Sequence, residues 1–144
     1  MGQALLPELD APTGRDQAPV GGPWQTLALF DALEARVAGK GWRGCAFINA
    51  AIELPDATHP AHVVIAEHKA RLRERMEKAA RADGVDAAAE VAEVLHLLFE
   101  GAIVASVTQG TPAPVRAARG AAARLVGAAG AAAAGEGARV AGDG

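Results

Sequence analysis

Tyrosine is absent from this 144-residue chain, and three Phe and two Trp are its only aromatic residues. So few rings argue against a β-sandwich or barrel. Much of the 51% hydrophobic content is Ala, which favours closely packed helices. A single cysteine excludes an internal disulfide and a CxxC metal site, and it fits a reducing cytoplasm. The net charge of -3 provides no general attraction to phosphate backbones. The N-terminus lacks the basic region of a signal peptide. Apart from a weakly hydrophobic Ala/Gly tail, no uncharged apolar run is long enough to cross a membrane, so no membrane association is expected. No nucleophile–base pair and no HExxH spacing is present. The expectation is a non-enzymatic protein without catalytic residues, metal or cofactor.

What is present is helical periodicity. Pro and Gly interrupt residues 1–22, which read as a flexible lead-in. A first helix begins near Pro23, with Leu27, Phe30 and Val37 at helical spacing, and Gly39 and Gly41 end it. A second runs from about Gly44 to Glu53. It is almost wholly small or apolar, so burial on both sides is expected. A third runs from about His59-Pro60 to Ala82, with Val64 or Ile65, Leu72, Met76 and Ala79 or Ala80 as its stripe. A fourth runs from Asp86, read as its N-cap, to Thr108, with Gly110 and Pro112 closing it. Its apolar residues occupy more than one side, which suits a central helix or one that also faces a partner. A fifth spans about Pro114 to Val126. The Gly/Ala segment 127–144 reads as a disordered tail, since its side chains offset little ordering entropy.

Several blocks give this order of helices a family likeness. They are Leu29-Phe30-Asp31-Ala32-Leu33, Arg43-Gly44-Cys45-Ala46-Phe47-Ile48-Asn49-Ala50-Ala51, Pro55-Asp56, His59-Pro60, Glu67-His68-Lys69 and Glu100-Gly101-Ala102-Ile103-Val104-Ala105. Over residues 23–126 the chain resembles the C-terminal effector-binding and dimerisation domain of TetR-family bacterial transcriptional regulators. The resemblance implies an all-α bundle of about five helices, a homodimer built on the last two, and an apolar small-molecule effector inside the bundle. It also implies a preceding helix-turn-helix, which is expected to be missing here. Either the gene start is misassigned or truncated, or the chain is a genuine regulator fragment. The alternative is a helical protein-interaction module that dimerises without a small molecule.

Phe47, Asn49, Ile52, Met76, Leu95, His96, Leu98 and Phe99 combine apolar bulk with a few polar groups, the usual composition of a ligand pocket. Simple core packing is the competing reading. Leu98, Ile103, Val107, Ala118, Ala122 and Leu125 are the expected dimer interface. Cys45 opens the second helix, where a sensor thiol is conceivable, but a small buried core residue is the reading taken. His59, His62 and His68 lack metal-site spacing. Lys69, Arg71, Arg73, Arg75, Lys78 and Arg81 are interleaved with Glu and read as a solvated face, with no aromatic stacking partners for nucleic acid. No DNA binding by this chain alone is therefore expected. Salt-resistant, sequence-specific retardation of its own promoter fragment in a gel shift would refute that expectation.

Overall fold

The computed structural model describes residues 22–141, and the lead-in 1–21 and residues 142–144 lie outside it. Five helices follow in order: α1 Trp24–Ala38, α2 Ala46–Glu53, α3 Ala61–Ala82, α4 Ala88–Gln109 and α5 Ala113–Ala141. Among the described residues there is no strand. The all-α expectation holds.

Helix α4 is the centre. It packs on α3 and α5, and more lightly on α1, while α1 also rests against α3 and α5. Its length and composition would suffice to cross a membrane. Here much of its apolar surface faces other helices: Ala88, Val91, Ala92, Leu95, Phe99, Ala102 and Ile103 are all buried. Phe99 meets Phe30 of α1 edge to face, with ring centroids 5.6 Å apart and planes at 69°. Neither ring has any exposed surface. Leu33, Leu72, Met76 and Leu95 fill the core with them.

The helix ends have identifiable causes. Gly110 closes α4 with φ of 66°, a left-handed conformation that glycine adopts without a Cβ penalty. Helix α1 begins differently, because its first turn carries no acidic residue and no side-chain cap of its own. Asp83, just past the end of α3, supplies one. Its two oxygens accept from the Gln25 and Thr26 amides at 2.9 and 2.7 Å, so free amides at the helix start gain a carboxylate partner. On the outer side, Arg119 of α5 grips Asp31 of α1 through two bonds of 2.6 and 3.2 Å, and Arg116 reaches Glu34 at 2.6 Å.

Four expectations change. Helix α2 was expected to be buried on both sides, yet none of its residues is buried. It packs on α3, and its outer face has no cover. The cap of α4 is Ala87, without a side-chain bond, rather than Asp86. The stripe of α3 keeps the expected Leu72, Met76 and Ala80 and adds His68, and of the two candidates at its start Val64 is exposed and Ile65 half-buried. Helix α5 does not end at Val126 but continues to Ala141 where disorder was expected. Alanine's high helix propensity carries it on, and Ala129 packs against the core cluster.

With few large side chains available, loss of one ring leaves a void that Ala-rich neighbours cannot fill. Phe99→Ala is expected to cost about 3–5 kcal/mol and to unfold or loosen the bundle, read by urea denaturation. A loss below about 1 kcal/mol would show that the core does not depend on this ring.

Candidate functional site

Two places on the bundle combine features that core packing alone does not require. The first lies beneath α2. The chain reaches it through a turn whose Gly41 and Gly44 have φ of 77° and 84°. At Gly44 a Cβ would come within 3.0 Å of Val107 Cγ2 on α4, so both the backbone conformation and the close approach require glycine. Asn49 donates its side-chain amide to the Arg43 carbonyl at 3.2 Å and thereby closes the turn. Phe47, on the inner side of α2, stacks on His68 of α3 with centroids 3.9 Å apart and planes at 13°.

Beside that stack lies a polar cluster. Lys69 donates to Glu100 of α4 at 2.7 Å, and the same Nζ is 3.5 Å from Cys45 Sγ. The side chains of Lys69 and Glu100 are only 12% and 21% exposed. His96, one turn before Glu100, brings Nε2 to 3.8 Å from the Glu100 carboxylate, too long for a hydrogen bond. Burial pushes the His96 imidazole below its ordinary pKa, and nearby Lys69 and Arg73 push the same way. Glu100 and Glu93 oppose them. His96 is therefore neutral near pH 7, and its Nε2 is buried without a hydrogen-bond partner. A half-buried ion pair and a neutral imidazole thus lie where α3 meets α4, beside the start of α2.

The second place is the open side of α4 and α5. Leu97, Leu98, Gly101, Ala105, Ala117 and Ala121 line a groove of about 620 Å³. Val94, Leu97, Val104 and Val107 stand exposed along α4, and Leu97 is 69% exposed.

The expected pocket residues divide. Phe47 and His96 sit at the polar cluster. Asn49 is exposed and serves the turn, and Ile52 is 76% exposed on the outer face of α2. Met76, Leu95 and Phe99 have no exposed surface and form core. The expected interface residues divide as well. Ile103 and Ala122 are buried within the protomer, on the sides of α4 and α5 that face the core. Ala118 is buried at the groove floor. Leu98 borders the groove, Leu125 is half-buried, and Val107 is exposed. The outer stripe runs instead through Val94, Leu97 and Val104. Lys69 and Glu100 were not singled out as site residues, and His68 was set aside with the histidines that lack metal spacing. One clue was legible: His68 extends the i,i+4 stripe of Leu72, Met76 and Ala80, so a titratable residue belonged to the buried face.

The other histidines cap local structure. His59 Nδ1 accepts from the Ala61 amide at 3.1 Å, and His62 Nε2 lies 3.1 Å from the Leu54 carbonyl. The basic run is tied to acids: Lys69 to Glu100, Arg73 to Glu93 at 3.4 Å, and Arg81 to Glu77.

Comparison with known proteins supplies the remaining findings. A family profile described as transcriptional regulator LmrA/YxaF-like, C-terminal domain, matches residues 25–121. A crystal structure of a TetR-family transcriptional regulator from Streptomyces coelicolor superimposes with a TM-score of 0.76 at 21% identity. The match covers 90% of this chain and 67% of that one, and at such identity it shows the shared fold. No curated protein matches the chain in sequence.

The lowered pKa of His96 makes stability depend on pH. Unfolded, the imidazole titrates near 6.5, whereas folded it titrates lower. Between those values the unfolded chain binds more protons, so the contribution is intact above about pH 6.5 and lost as pH falls. His96→Asn is expected to flatten the stability difference between pH 7.5 and 5.5, measured by urea denaturation of both proteins. An unchanged pH slope would remove His96 from that role.

Proposed function

Because the chain belongs to the LmrA/YxaF-like C-terminal domain family of TetR-type transcriptional regulators, we propose that it is the ligand-sensing and dimerisation domain of a cytoplasmic regulator. The effector is an apolar or amphipathic small molecule that enters between α2, α3 and α4. The observation that supports this seat is the polar cluster of Lys69, Glu100 and His96, held under a helix that has no buried residue. A molecule that displaces α2 gains apolar contact with Phe47 and polar contact with the cluster. Binding one arrangement of the helices better than another then shifts the population between them.

Dimerisation uses the outer faces of α4 and α5, with a second copy of the chain as occupant. Leu97 and Val104 stand exposed there, and the α5 side of the groove presents small residues, Ala117 and Ala121, that admit a partner helix. Gly101 has open space where a Cβ would stand. A two-fold contact pairs this face with itself, which closes the assembly at two subunits. The alternative, an interaction module that dimerises without a ligand, is favoured by the complete burial of Met76, Leu95 and Phe99, which pack as solid core.

Two measurements separate these readings. Leu97→Glu places a charge on the outer face without touching the protomer core, and is expected to convert a dimer into a folded monomer in sedimentation at micromolar concentration. A monomer for the unaltered chain would overturn the interface. In a thermal-shift screen of hydrophobic compounds, at least one is expected to raise Tm, by about 2.7 kcal/mol of stabilisation at a hundredfold excess over its Kd. A dimer that no compound stabilises would favour the interaction module.

A further inference from the structure

Cys45 is the chain's single cysteine and is 6% exposed, immediately before α2. Lys69 Nζ lies 3.5 Å from its sulfur and 2.7 Å from the Glu100 carboxylate. A thiol, a lysine ammonium and the carboxylate that can take its proton are thus gathered at one point between α2, α3 and α4. We propose that Cys45 and Lys69 form a reversible sulfur–nitrogen cross-link when the protein meets a hydroperoxide, which makes this pair an oxidation-sensing site. The site shares Lys69 and Glu100 with the proposed effector seat, but its chemistry requires no effector.

The chemistry has two steps. The Cys45 sulfur attacks one peroxide oxygen and the O–O bond breaks. The sulfur becomes a sulfenic acid, and the leaving hydroxide takes up the thiol proton as water. Lys69 then passes its ammonium proton to Glu100 and on to solvent. The free amine attacks the sulfenic sulfur, the S–O bond breaks, and the departing hydroxide leaves as water with a second nitrogen proton. Overall, one thiol, one ammonium and one hydrogen peroxide give one sulfenamide, two waters and one proton. The sulfur is oxidised and the peroxide reduced. A thiol reverses the bond by attacking the sulfur and releasing the amine.

The surroundings favour this product over further oxidation. The Lys69 nitrogen already lies 3.5 Å from the sulfur, so cross-linking competes with attack by a second peroxide. Burial keeps bulky reagents away, whereas hydrogen peroxide is small and α2 has no buried residue above the thiol. Once formed, the bond fixes the start of α2 to α3. Gly44, the next residue back, is packed against Val107, so the bond also holds the turn before α2 against α4.

The test is the intact mass of the full chain after graded hydrogen peroxide, followed by peptide mapping. The expected product is lighter by two hydrogens, returns to its starting mass with dithiothreitol, and yields a peptide joining positions 45 and 69. Lys69→Arg keeps a cation beside Glu100 but removes the nucleophilic amine, and is expected to accumulate sulfinic and sulfonic acid at Cys45 instead. Cys45→Ser is expected to show neither product. Oxygen added to Cys45 of the unaltered chain without a joined peptide would overturn the proposal. So would a disulfide between two chains, an unchanged mass, or the same mass loss in Lys69→Arg. Because the decisive reading is made on the unaltered protein, a variant that fails to fold leaves it intact.

Discussion

The contact between Phe30 and Phe99 is the constraint on which the bundle is arranged. With five aromatic residues in the whole chain, two of them are placed ring to ring between α1 and α4. Such a pair adds about 0.5–1.5 kcal/mol beyond the area it buries, but its larger effect is geometric. The two rings set the separation of α1 and α4. The small residues Ala80, Ala88, Ala92, Ala102 and Ala122 then let α3 and α5 close in around them. Large side chains at the centre and alanine at the contacts make a narrow, tightly spaced bundle.

Close packing on one side of α4 leaves a clear division on the other. Val91, Leu95, Phe99 and Ile103 are committed to the protomer, while Val94, Leu97 and Val104 remain outside. The breadth of apolar surface was readable from the sequence, because no single stripe accounts for it. The sorting of residues between the two faces was not. Ile103 and Val104 are adjacent and equally apolar, and only the directions from which other helices pack on α4 decide which is covered. Ala118 and Ala122 are small enough for a close partner, yet both are buried within their own protomer, and of the two Ala118 also lines the groove.

The same limit explains α2. Its composition suggests a buried helix, yet burial depends on neighbours, and eight residues laid on α3 have cover on one side only. The helices themselves were legible because Gly, Pro and the 3.6-residue period mark them locally. The polar cluster was legible only in pieces. Glu67-His68-Lys69 and Glu100-Gly101 were visible as blocks, but their meeting needs α3 and α4 to lie side by side, which periodicity does not state. The end of α5 was misread because low complexity was taken as lack of order, whereas alanine supports a helix that few contacts anchor.

Asp83 holds the start of α1 from fifty-seven and fifty-eight residues further along the chain, and Asp31 and Glu34 are gripped by Arg119 and Arg116 from positions later still. On a ribosome the chain emerges from its N-terminus, so α1 appears well before any of these groups exist. It has no side-chain cap of its own. The pair α3–α4, joined by a short loop, closes its contacts at a smaller entropy cost. Every clamp on α1 is therefore supplied by residues translated after it, and its stability rests on contacts that span most of the described chain.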